Sequence, residues 1–254
     1  MKILFPNNVF SSLLIEMLPK ELAGQVSFAE SARLFNELEN DGCDAALIPT
    51  LDILKNKDMF VSRKMCIAFY SFMGNSFLYF VPEQQELNTI SVTGDMSSHD
   101  IIVAKYLFSE MYNKEIEISL FSGKKDKAEE NNLLVVGDSN FEEMKMLNAL
   151  SISEEVNEMI SFPYVNYILA SKSGAALSEI NSSLNDLNVN LDEEIERITG
   201  LLANIPQPVK EYLIDNSGSL SFNLGETEEH GVTELLRLPY FKGMIDDIID
   251  VKFV

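Results

Sequence analysis

Through the first half of the chain, short apolar runs ending in turn residues alternate with stretches of helical spacing, the pattern of βα units around a mostly parallel sheet. Strands are predicted at 2–5, 45–48, 77–81, 89–92, 116–121 and 133–136. Between the first two, Ala29, Ala32, Leu34, Phe35 and Leu38 fall on one helical face. A second helix is predicted over 99–111. It is opened by Gly94-Asp95-Met96-Ser97-Ser98, where Ser97 suits an N-cap and Asp100, three residues on, completes a capping box. The second half changes character. Residues 175–203 read as helix with a break near Asn188, and Pro206 and Pro208 open a further helix through Leu213. A lone strand at 220–224 follows, then a helix over 225–236 with Glu226, Glu228 and Glu229 set against the positive end of its dipole.

Composition narrows the classes this chain can belong to. With 46% hydrophobic residues over 254 positions it has enough apolar side chains for a core, which excludes disorder and fits one large domain or two small ones. Its 19 Lys and Arg against 40 Asp and Glu give a formal charge of −21 without a basic stripe. Neither nucleic acid nor an anionic membrane surface is an expected partner, since both are held by clustered cations. Cys43 and Cys66 lie in or beside apolar runs without metal-ligand spacing and read as buried free thiols. Pro6, Asn7 and Asn8 break the first apolar run before signal-peptide length, and no stretch approaches the ~20 apolar residues of a membrane span. A cytoplasmic location is the resulting expectation. There is no Walker loop, GxGxxG or HExxH, so no cofactor and no metal are expected. The acidic runs at 192–194 and 246–247 read as solvated faces.

Several short segments, taken in order, resemble the menaquinone-biosynthesis proteins of the futalosine pathway, in particular the chorismate dehydratases. Asp44-Ala45-Ala46-Leu47-Ile48-Pro49-Thr50 is similar to that family's Asp-Val-Ala-Leu-Val-Pro-Ser, Ser76-Phe77-Leu78-Tyr79-Phe80 to its Ser-Val-Leu-Leu-Phe, and Asp95-Met96-Ser97-Ser98 to its Asp-x-Ser-Ser loop. Leu134-Val135-Val136-Gly137-Asp138, Tyr212-Leu213 and the segment Leu224 to Gly231 continue the series. The resemblance implies an α/β, two-lobe, type II periplasmic-binding-protein-like fold with mostly parallel sheets and a ligand cleft between the lobes. Lobe one would comprise 1–81 and 168–254, and lobe two 82–167. It also implies a possible hydro-lyase that removes water from chorismate to give 3-(1-carboxyvinyloxy)benzoate. The departures are specific: of the family's first loop only Asn7 survives, and its Gly-Pro-Val is missing from Phe72-Met73-Gly74-Asn75. A sister enzyme's His-Glu-Gly falls where this chain has Gly137-Asp138-Ser139.

The ligand expected is a small molecule, with a carboxylate favoured by the resemblance. Asn7 is the candidate catalytic residue, placed by the carry-over at the end of the first strand, and it equally suits a turn after Pro6. Ser97 and Ser98, at a helix start whose free N–H groups seat an anion, are substrate-binding candidates, with a plain helix cap as the alternative. Asn75 and Ser76 would donate from the opposite lobe. Thr50 either donates to the ligand or caps a short helix at 52–54. The backbone of Gly137 can approach a ligand closely, and Asp138 is a cap or an acceptor for substrate hydroxyls. His99, if it lies in the cleft, would be cationic near neutral pH and offset Asp100, whose charge opposes a bound carboxylate. The competing reading is a non-catalytic binding or sensing paralogue, its ligand less anionic than chorismate, or cationic.

Overall fold

The computed structural model describes residues 1–83, 87–121, 131–202 and 205–254, without the side chains of Tyr112, Glu143, Met144 and Lys145. The chain begins with β1 (Ile3–Pro6), α1 (Val9–Met17), α2 (Lys20–Ala23), β2 (Val26–Ala29), α3 (Ser31–Glu39), β3 (Ala45–Pro49), a 3-10 helix at Thr50–Lys55 and β4 (Phe60–Phe69). It then supplies β5 (Ser76–Tyr79), β6 (Thr89–Gly94), α4 (Ser98–Tyr112), β7 (Glu117–Leu120), β8 (Leu133–Val136), a 3-10 stretch at Asp138–Asn148, β9 (Leu150–Ser151) and α5 (Ile152–Ile160). The return adds β10 (Tyr164–Ser171), α6 (Gly174–Ser183), α7 (Leu191–Leu201), α8 (Gln207–Asp215), β11 (Leu220–Ser221), α9 (Glu226–Phe241) and β12 (Lys252–Phe253).

Among the described residues these strands make two sheets. The larger runs β11-β4-β10-β3-β1-β2, with β12 also on β4, and the smaller runs β7-β6-β8-β5-β9. β1 pairs in parallel with β2 and β3, whereas β10 lies antiparallel between β3 and β4. β1, β3 and β10 are buried along their whole length, which is why β1 and β3 read as continuous apolar runs rather than alternating ones, whereas Asn166 and Ser171 interrupt β10. α3 lays Leu34, Phe35 and Leu38 onto the larger sheet.

The predicted βα pattern of the first half holds, with differences that have physical causes. β2, β4 and β10 were not predicted. β2 has only four residues, two of them exposed, and Arg63 and Lys64 interrupt β4. The helical region beginning at 175 is split around Asn188 into α6 and α7; Ala203, the end of that prediction, lies outside the described residues. The strand predicted over 220–224 is paired only at Leu220–Ser221. The sheets are exchanged between Phe69 and Ser76 and again between Ser151 and Tyr164. β5 hydrogen-bonds to β8 and β9 in the smaller sheet, and β10 lies wholly in the larger one.

Candidate functional site

The loops at the ends of β1, β2, β3, β6 and β8 converge on the seam between the lobes, where open α/β sheets present ligand contacts. Two hydrogen-bonded groups fill it. In the first, the Leu51 N–H donates to His99 Nδ1 at 3.1 Å, which fixes the ring proton of the neutral imidazole on Nε2. Nε2 then donates to the Tyr164 hydroxyl oxygen at 2.6 Å, and Asn166 Nδ2 donates to the same oxygen at 3.1 Å. Nearby, Ser98 donates to Asp52 at 2.8 Å, and Lys55 pairs with the same Asp52 oxygen at 2.6 Å. In the second group, Asn75 Nδ2 donates to the Tyr167 hydroxyl at 3.2 Å. The Ser31 hydroxyl donates to Asp95 at 2.7 Å, so the 2.9 Å contact between Tyr167 and Ser31 has Tyr167 as donor. Asp95 also accepts the Ser31 N–H at 2.8 Å, and Asp138 accepts the Val9 N–H at 2.9 Å.

A register shift in β10 makes this possible. Val165 and Tyr167 pair with consecutive residues of β4, which leaves Asn166 as an extra residue. Such a bulge re-aims side chains, and here Tyr164 and Tyr167 reach groups from the second lobe while Asn166 supports the Tyr164 hydroxyl. Burial sets the protonation states. It pushes His99 down to about 3, helped by the Lys55 charge, so the imidazole is neutral rather than the expected cation. Burial raises Asp100 to about 6 against the opposing hydrogen bonds from Ser97. It also raises Asp138, against the Val9 N–H bond and with a further push from the Asp95 charge. Tyr164 and Tyr167 stay protonated, their phenols held well above the ordinary value by burial.

The predicted site residues gather here, several in roles other than those expected. The seat at the start of α4 is filled from within: Asp100 accepts the Ser97 N–H at 2.8 Å and the Ser97 hydroxyl at 3.0 Å. Thr50 is fully buried and donates to the Val165 carbonyl at 2.6 Å, and its hydroxyl does not cap the short helix. Gly137 has φ +91°, a left-handed conformation that suits glycine, and its N–H donates to the Asn75 carbonyl at 2.7 Å. Asn75 Oδ1 and the Ser76 hydroxyl are buried with no hydrogen-bond partner among the described residues, as are Asn8 Nδ2, Asp52 Oδ2 and Asn166 Oδ1. Asn7 is exposed and lines a pocket of about 420 Å³ at the mouth of the seam, with Glu30, Ala32, Gly94, Asp95 and Met96. Its neighbour Asn8 is the buried one, capping α1 by accepting the Ser11 N–H at 2.9 Å.

Sequence reasoning missed Asn8, Ser31, Asp52, Tyr164, Asn166 and Tyr167 as site residues. One signal was present: an Asn and two Tyr inside the apolar run 164–170 are polar groups that burial obliges to find partners.

No family model matches this chain, and no curated protein matches it either. Solved structures do. A protein from Archaeoglobus fulgidus superposes with a TM-score of 0.67 at 13% identity, over 96% of this chain and 98% of that one. A Candida albicans protein described as exhibiting the generic periplasmic binding protein fold gives 0.63 at 16% identity, over 97% and 91%. The periplasmic aliphatic sulphonate binding protein SsuA from Escherichia coli gives 0.57 at 9% identity, over 99% and 90%. The chain has this α/β two-lobe periplasmic-binding-protein-like fold, shared with diverse small-molecule-binding proteins. None of these matched structures is described as a chorismate dehydratase. The lyase, chorismate and menaquinone assignments implied by the resemblance are therefore withdrawn. So is the expected cytoplasmic location, because the fold-mates include proteins named as periplasmic. Among the described residues no helix is long and apolar enough to cross a membrane.

Proposed function

We propose that this protein is a non-catalytic binding protein whose seam opens to take a small molecule bearing ammonium or other hydrogen-bond donors. The observation that carries this reading is the set of buried acceptors without a partner among the described residues: Asp52 Oδ2, Asn75 Oδ1 and Asn166 Oδ1. Leaving such atoms unpaired costs about 1–3 kcal/mol each, so a donor arriving between the lobes relieves a standing penalty. An ammonium carries three donors and no acceptor. The mouth agrees in sign, because Glu30 and Asp95 line it and none of its described lining residues is basic. His99 is a poor general base in this arrangement, since both ring nitrogens are engaged and its proton affinity is low.

Thermal unfolding of the purified protein with a panel of small primary amines, matched against carboxylates that include chorismate, tests the reading. An amine at 100 times its Kd should stabilise the protein by about 2.7 kcal/mol. Stabilisation by the carboxylates alone, or chromatographic appearance of a product from chorismate, would overturn it.

A further inference from the structure

Three helical starts of the first lobe face the seam, and each is closed by a side chain from the second lobe. Asp138 takes the Val9 N–H of α1, Asp95 takes the Ser31 N–H and hydroxyl of α3, and His99 takes the Leu51 N–H of the 3-10 helix. α3 has no side-chain cap from its own N-cap residue, Glu30. α1 uses Asn8 for the Ser11 N–H and leaves the Val9 N–H to Asp138. Helix starts with unpaired N–H groups attract anions, so Asp95 and Asp138 stand where the acid groups of a ligand would stand.

Both carboxylates are presented by the backbone. Each follows a glycine of positive φ, Gly94 at +95° and Gly137 at +91°. A Cβ on Gly94 would lie far inside van der Waals contact distance of the Val136 carbonyl oxygen, so the turn that aims Asp95 admits no side chain there. A second observation marks the space as a ligand seam. Asn8, Asn75 and Ser76 are at most 2% exposed, and each keeps a buried polar atom with no partner among the described residues. Most buried polar atoms of a folded protein are paired, and three such residues gather here.

We propose that Asp95 and Asp138 determine specificity as internal anions: they occupy the anion seats of the opposite lobe, latch the seam, and exclude acidic ligands from it. The inference rests on the reading of the seam as a ligand cleft and adds which ligands that cleft refuses. Its prediction is that truncating the two carboxylates frees the α1 and α3 starts and converts a site closed to anions into one that takes them.

The test is Asp95→Ala/Asp138→Ala, compared with wild type by small-angle scattering and by titration with inorganic sulfate. The double variant should have a larger radius of gyration than wild type in sulfate-free buffer. It should bind sulfate at least about tenfold more tightly, because two like charges are gone from the seat. A folded double variant with the wild-type radius and unchanged sulfate affinity overturns the proposal. Should the double variant not fold, Asp95→Ala alone is judged by the same two readouts at the α3 seat, which lies at the edge of the mouth pocket. The amine panel on wild type is read separately. A gain in sulfate binding without amine binding keeps the latch and removes the amine reading, whereas amine binding without a gain in sulfate binding does the reverse.

Discussion

Acid should act on the seam through two buried neighbours of opposite sign. His99 falls from 6.5 to about 3 on folding, so its contribution is complete above pH 6.5 and is lost as the pH drops toward 3, where the unfolded chain takes up the proton first. Asp100 rises from 3.8 to about 6, so the folded chain takes up that proton first and stability is regained as the pH drops from 6 to 3.8. Within either window one pH unit corresponds to about 1.4 kcal/mol. Between pH 6.5 and 4 His99 therefore removes about 3 kcal/mol while Asp100 restores about the same, and wild type loses little through the pair. Asp100→Asn abolishes the restoring half. The variant should lose about 3 kcal/mol more than wild type over that span. Urea denaturation followed by circular dichroism at pH 6.5, 5 and 4 measures both proteins. Parallel pH dependences would refute the reasoning, because the other titrating groups are common to the two chains.

Three further outcomes follow from the same geometry. Tyr164→Phe removes the oxygen that accepts from His99 and Asn166, and should cost about 1–3 kcal/mol in urea unfolding at pH 7. Gly94→Ala forces a side chain into a left-handed turn against the Val136 carbonyl and should destabilise by at least about 1–3 kcal/mol, read as a drop in melting temperature. Cys43 and Cys66 are buried free thiols, with burial raising Cys43 to about 11 and Cys66 well above its ordinary value. Both should resist a thiol reagent at pH 8 in the native protein and react fully in urea.

The segments that resembled the dehydratases are those that make strands and the turns after them: 45–49 is β3, 76–79 is β5, and 95–98 leads into α4. Apolar runs followed by Pro-Thr, Gly-Asp or Asp-x-Ser-Ser report where a chain must pair and then turn, which is a property of the fold. They carry little about chemistry. The two-lobe architecture was therefore legible, and the reaction attached to it was not. The site was legible in place more than in role. Ser97 and Asp100 were readable as a capping pair because their spacing is local, and Asp100 does close the start of α4. Asp95 on Ser31 and Asp138 on Val9 join residues 64 and 129 positions apart, and no local pattern announces such pairs. The same limit explains the choice of Asn7 over Asn8. Adjacent residues of one type differ only in which way the backbone turns them, and that is settled when the lobes meet.

The path of the chain through the larger sheet has a consequence for how the protein is made. β10 is the antiparallel strand at the middle of that sheet, and β4 waits on one side for β11 and β12, with Phe60 paired to Lys252. During synthesis β1 to β4 emerge long before the strands that complete their hydrogen bonding, whereas the smaller sheet comes from the continuous stretch between β5 and β9. The inserted lobe can thus close its sheet while the outer one still exposes β3 and β4 as unpaired apolar edges. Long-range pairing of this kind is slow and leaves nascent chains open to misassociation. The interval between translation of β4 and of β10 is the stage at which the larger sheet is most open to such misassociation.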